Sequence, residues 1–206
     1  LKILSDNSFY QSSIEKLIIP SSFGRFGKLF NGSNNLKLIQ VIENKDKNII
    51  NYDNKLIIGK LNSQSDLFDV ILYANRMITE VFIPPFIKQV AFYAFSNLQL
   101  IHDILIPSSI IKLDDYSFYN CNNLKTVKFA ENSELQSINK FSFAHSLITE
   151  IMIPPKVTHI GGLTFSECKL LSKIELPLSL TKIERFTFYN TKLNSIFIPS
   201  TVEVIE

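Results

Sequence analysis

Apolar and polar residues follow one another in this chain with a long, fixed period. Pro20, Pro84, Pro107, Pro154, Pro177 and Pro199 each close the same phrase, an apolar residue, a variable one and a second apolar one before the proline. The step is 23 residues from Pro84 to Pro107 and from Pro154 to Pro177, and 22 from Pro177 to Pro199. The 47 residues between Pro107 and Pro154 make two periods, with Lys128-Phe129-Ala130 filling the vacant slot. Apolar-variable-apolar alternation predicts a short strand. Proline ends it, because its φ is fixed and it has no N–H to give to a ladder.

Further columns stand in register with the proline. Three and six residues after it come Ile87 and Val90, Ile110 and Leu113, Val157 and Ile160, Leu180 and Ile183, Val202 and Ile205. Eleven residues after it stands Phe95, Phe118, Phe165 or Phe188, with Phe30 one position early and Phe143 displaced by a longer loop at Glu131 to Glu134. The unit reads FxxCxxLxxIxIPxSVxxIxxxxF. Leucine and isoleucine at a period of about 20–29 residues mark a leucine-rich solenoid. One such rung cannot fold alone. Burying five or six large apolar side chains yields roughly 8–15 kcal/mol, whereas ordering some 23 residues costs roughly 1–2 kcal/mol each.

Stacked neighbours must supply the difference. The expected fold is therefore a β-rich, right-handed leucine-rich repeat solenoid. It carries a parallel sheet on one face and short strands, turns or 3-10 segments on the other, with the phenylalanines stacked along its axis. Residues 1–206 read as a single domain of about eight or nine rungs. The opening on Leu1 and the stop at Glu206 in mid-repeat read as a piece of a longer chain.

Only residues 43–76 break the period. Leu36, Ile39 and Val41 mark one more rung, and the next proline arrives about 19 residues late. Leu56-Ile57-Ile58 and Val70-Ile71-Leu72-Tyr73, separated by Gly59 to Asp69, predict a hairpin-like excursion. The expectation is an irregular segment that leaves the stack and is its least protected part. Two readings stand: an irregular rung, or a protruding ribbon that adds to a binding surface.

The stretches FYNCNNLKTVKF at 118–129, FSECKLLSKIELP at 165–177 and IPSSIIKLDDYSF at 106–118 closely resemble the BspA-like leucine-rich repeat family. Proline, phenylalanine and the FxxC turn recur together, and the resemblance covers nearly the whole chain. Three turns depart from it by being one residue shorter and lacking the cysteine: FYQSSIEKLIIP, FAHSLITEIMIP and FYNTKLNSIFIP. Interruptions of the Asn48-Ile49-Ile50-Asn51-Tyr52-Asp53-Asn54 kind also occur in that family. The resemblance implies a surface protein that attaches to host matrix proteins and cells.

Composition narrows the function. At 46% hydrophobic residues, 206 residues can bury a sizeable core. A net charge of +2, with lysines scattered among acids, gives no footprint for nucleic acid. No apolar run is long enough for membrane insertion. Cys121 and Cys168 hold the same turn position two periods apart; at about 4.8 Å per rung they are about 10 Å apart, too far for a disulfide. Both are expected free and buried. Asn31-Gly32-Ser33 is a glycosylation sequon whose use the sequence leaves open.

His102, His145 and His159 show no metal-ligand spacing, and no glycine-rich phosphate loop exists. Asp114-Asp115 reads as solvated turn chemistry. No nucleophile, base and oxyanion donor come together, so no catalytic residue, metal or cofactor is assigned and the chain reads as a non-enzyme.

A solenoid offers a broad sheet instead. The middle residue of each triplet points outward: Ile18, Gln40, Phe82, Leu105, Lys128, Met152, Glu175 and Phe197. The residue before each triplet forms a second column, which includes Lys16, Glu80, Asp103, Thr126, Glu150 and Lys173. A solvated face has no need of Phe82, Leu105, Met152 and Phe197. These four, with an acidic stripe of Glu80, Asp103 and Glu150, are the candidate protein-binding residues.

The expected function is a non-catalytic protein-binding module of a cell-surface or secreted adhesin, facing an extracellular matrix or host cell-surface protein. The alternative is a cytoplasmic leucine-rich repeat scaffold or regulator of protein interactions. Carbohydrate recognition is weaker, since tryptophan is absent. Exposed strand edges at both ends invite end-to-end self-association.

Overall fold

The computed structural model describes residues 5–23, 33, 35–62 and 64–206, so Phe30 and the sequon asparagine Asn31 lie outside the described residues. No helix occurs among them. In chain order the strands are β1 (Lys16–Pro20), β2 (Leu38–Ile42), β3 (Ile49–Tyr52), β4 (Leu56–Gly59), β5 (Val70–Ala74) and β6 (Gln89–Val90). The regular rungs then contribute β7 (Asp103–Ile106) and β8 (Lys112–Leu113), β9 (Thr126–Phe129) and β10 (Ser137–Ile138), β11 (Glu150–Met152) and β12 (His159–Ile160). After them come β13 (Lys173–Glu175), β14 (Lys182–Ile183) and β15 (Val204–Ile205). The chain is a leucine-rich β-solenoid.

Each rung is laid out by its sequence columns. The apolar-variable-apolar triplet forms the first strand, and these strands pair in parallel as β1 with β2, β7 with β9 and β11 with β13. The proline then turns the chain. Its carbonyl accepts from the N–H three residues on: Phe23 to Pro20, Ile87 to Pro84, Ile110 to Pro107, Val157 to Pro154, Leu180 to Pro177 and Val202 to Pro199, at 3.0–3.2 Å. Ala130, with an N–H to give, donates it to the Ile106 carbonyl at 2.9 Å. The next apolar column makes a two-residue strand that stacks on its equivalents, so β6, β8, β10 and β12 form one parallel ladder.

The third side of the rung is a double turn with two left-handed residues four apart: Tyr93 and Asn97, Tyr116 and Asn120, Phe141 and His145, Leu163 and Glu167, Phe186 and Asn190, with φ between 53° and 61°. Asparagine tolerates that region readily, but a bulky tyrosine or phenylalanine does not. Stacking compensates: Tyr93 lies on Tyr116 at 4.7 Å between centroids and Tyr116 on Phe141 at 4.6 Å.

Inside the same turn runs the phenylalanine column. Phe95, Phe118, Phe143, Phe165 and Phe188 stack in order at 4.9, 5.3, 5.8 and 6.0 Å with nearly parallel rings. The first four are fully buried and Phe188 is partly buried at the end of the column. Cys121 and Cys168 are buried and unpaired, their thiols donating to the Phe95 and Phe143 carbonyls at 3.1 and 3.2 Å. Burial pushes their pKa values up, to about 12 and about 11.

The interruption is built into the stack. β3, β4 and β5 form an antiparallel meander, turned at Asp53-Asn54 with both residues at φ 51° as a tight hairpin requires. β5 then joins β6 in parallel, so the meander completes a seven-stranded sheet with the short ladder.

β4 is buried along its whole length. Leu56 and Ile58 pack into the main core, while Ile57 packs with Ile19, Phe23, Leu36 and Ile39 of the first rungs. A strand with apolar residues on both faces belongs between two layers. The β-rich interruption is thus an antiparallel meander wedged between two cores, with β4 buried where a protruding ribbon would be exposed. Only its connection keeps that character, with Leu61 and Leu67 exposed.

At the seam, Arg76 is 9% exposed and takes no carboxylate partner among the described residues. It donates to the carbonyls of Ala74, Ala94 and Tyr93 at 2.7–2.9 Å and lies 4.2 Å over the Tyr73 ring. Burial lowers its pKa and raises that of Tyr73. The Tyr73 hydroxyl donates to the Leu36 carbonyl at 2.8 Å, and the Arg76 N–H to the Lys37 carbonyl at 2.8 Å, tying the end of the meander to the rung before it.

Candidate functional site: the strand face

Alternation along the first strands decides what faces outward. In β7 and β11 the residues on either side of Leu105 and Met152 are buried, because they are the inward half of a period of two. Leu105 is 57% exposed, Met152 66%, Phe82 69% and Phe197 74%. Glu80, Asp103 and Glu150 are exposed beside them. All seven predicted residues thus lie on the outside.

They do not form one continuous patch. Phe82 and Leu105 sit on successive rungs, Phe82 in an extended segment outside any ladder. Lys128 on β9, in register with Leu105, separates it from Met152, and Glu175 on β13, in register with Met152, separates that residue from Phe197. Nor is the acidic stripe uniform. Glu80 is paired with Lys55 at 3.3 Å, Asp103 is in register with Thr126, and Glu150 with Lys173.

The face is also broken between rungs. Nine residues run from Phe118 to Val127 and from Phe165 to Ile174, but only eight from Phe143 to Ile151 and from Phe188 to Ile196. In both shorter rungs the strand segment makes no ladder with its predecessor: β9 and β11 are neighbours in separate sheets, and 195–198 form no strand. β7 likewise has no strand before it to pair with, whereas the short ladder stays continuous from β5 to β12. The face therefore opens at β9 and β11, along Thr126–Lys128 and Glu150–Met152.

The residues considered for chemistry serve the structure. Asp114 is buried, against the expectation of a solvated turn. Its carboxylate accepts from the Gln89 amide and lies 2.8 Å from Lys112 Nζ. Asp115 instead accepts the Lys140 N–H at 3.2 Å, so the two carboxylates do not act as a pair. Among the described residues no cluster of His, Cys, Asp or Glu could hold a metal ion, and no helix is long and apolar enough to cross a membrane.

The BspA type leucine rich repeat region matches residues 1–53 and 86–206 in six copies, and the chain belongs to that family. The gap at 54–85 holds β4, β5 and the seam. No curated protein matches the chain.

Among solved structures, a leucine rich cell surface protein from Faecalibacterium prausnitzii is similar over 97% of this chain and 49% of its own, at TM-score 0.75 and 22% identity. A leucine-rich repeat protein from Eubacterium ventriosum is similar over 96% of this chain and 58% of its own, at TM-score 0.68 and 21% identity. The pneumococcal vaccine antigen PcpA is similar over 76% of this chain and 45% of its own, at TM-score 0.60 and 22% identity. The chain spans about half the length of these structures. At such identity the likeness establishes the fold alone, a leucine-rich repeat solenoid.

Proposed function

We propose that this BspA-type repeat chain is a non-catalytic protein-binding module of a cell-surface or secreted adhesin, which presents its strand face to an extracellular matrix or host cell-surface protein. The observation that carries this reading is the exposure of Phe82, Leu105, Met152 and Phe197 on a face whose inward positions are already filled. Large apolar side chains held at 57–74% exposure contribute nothing to the core. They are the residues that anchor interfaces.

Surface presentation is supported by two similar structures, one of a cell surface protein and one of a pneumococcal vaccine antigen. The test is adhesion of the purified chain to immobilised extracellular matrix, compared with the double variant Phe82→Ser/Leu105→Ser. Loss of more than 1 kcal/mol of binding, about fivefold or more, with an unchanged melting temperature supports the reading. Full adhesion by the variant refutes it. Surface labelling of intact cells with an antibody to the chain tests presentation separately.

A further inference from the structure

Three departures from the repeat meet at one place on the strand face. Ala130 stands where other rungs have proline, the loop at Glu131 to Glu134 is longer, and the turn after Phe143 is one residue shorter. Together they leave a groove of about 690 Å³ beside the split between β9 and β11. That is ample for one or two side chains of a partner. Val127, Phe129, Met152, Ile153, Pro154 and Pro155 give it an apolar lining, and Lys156 clasps Glu134 at 2.6 Å on its border.

The charges around it are unbalanced. The basic groups Lys156 and Lys173 are taken up by Glu134 and Glu175 at 2.6 and 3.1 Å. That leaves Glu131 on the groove and Glu150 beside it, exposed and in no ion pair among the described residues, against the ammonium of Lys128. An apolar slot bordered by uncompensated carboxylates attracts an apolar side chain flanked by cations, and repels an acidic segment. The slot runs along β9 and β11, so an occupant lying in it is extended along the strands.

We propose that this groove receives an extended segment of the protein partner, with an apolar side chain held against Met152 and Phe129 and flanking lysine or arginine side chains facing Glu131 and Glu150. The proposal rests on the strand-face reading above and places the partner's anchor within it.

The experiment uses the 15N-labelled chain and two synthetic hexapeptides, one alternating Lys and Leu and the other alternating Glu and Leu. The basic peptide is expected to shift the amides of 126–134 and 150–156. It should bind at least tenfold more weakly to Glu131→Lys/Glu150→Lys, whose positions are exposed and whose thermal melt should match the parent. The acidic peptide should cause no shift there. Equal binding of the two peptides, shifts centred elsewhere, or unchanged affinity in the double variant overturns the proposal.

Adhesion to matrix separates this idea from the broader one. If Phe82→Ser/Leu105→Ser abolishes adhesion while Glu131→Lys/Glu150→Lys leaves it intact, the face stands and the groove falls. If neither variant affects adhesion, both fall.

Discussion

Replacing Phe118 by alanine removes the ring at the middle of the buried column. Phe118 is fully buried, stacked 4.9 Å from Phe95 at an interplanar angle of 4° and 5.3 Å from Phe143 at 13°. Its neighbours on both sides are whole rungs, which relax less easily than loops, so the cavity persists. The expected cost is about 3–5 kcal/mol, the usual range for a buried phenylalanine.

Phe188 supplies the control. It is partly buried and has one stacked neighbour, Phe165, at 6.0 Å, so Phe188→Ala should cost about 1–2 kcal/mol, near half the value of a fully buried side chain. With no tryptophan in the chain, urea unfolding is followed by far-UV circular dichroism and tyrosine fluorescence. Because stability in a solenoid is a sum over neighbouring rungs, Phe118→Ala should also separate the unfolding of the two halves into non-coincident transitions. A loss below 1 kcal/mol at Phe118, or equal losses at Phe118 and Phe188, would refute the buried-column argument.

Cys121 and Cys168 should alkylate slowly in the native chain and both react after denaturation without reductant, as measured by mass. Since burial raises both thiol pKa values, to about 12 and about 11, their contribution to stability is complete below about pH 9 and is lost as pH rises through those values. The melting temperature of Cys121→Ala/Cys168→Ala should accordingly fall less steeply between pH 9 and pH 11 than that of the parent, and an identical slope counts against it. Hydrogen exchange should be as slow at Leu56 to Ile58 as at Ile104 to Ile106, with the connection between β4 and β5 fast; fast exchange throughout β4 would contradict the wedged meander.

Much of the fold is legible in one dimension because a solenoid makes its contacts between equivalent positions of adjacent repeats. The proline spacing predicts the strands, the phenylalanine spacing predicts the column that stacks from Phe95 to Phe188, and alternation alone places Phe82, Leu105, Met152 and Phe197 outside. Those are statements about period and parity, which a sequence carries locally.

What tertiary structure decided concerns pairing across rungs. Leu56-Ile57-Ile58 has the same composition whether it protrudes or is buried; only the presence of one core against Leu56 and Ile58 and another against Ile57 places β4 between them. The shorter turn after Phe143 is visible as a deletion, yet the missing ladder between β9 and β11 and the groove beside Met152 appear only once the two strands lie side by side. Asp114 likewise reads as a surface turn residue until Gln89 and Lys112 of β6 and β8 close over it. Register is a relation between two segments, so the sequence of either one underdetermines it.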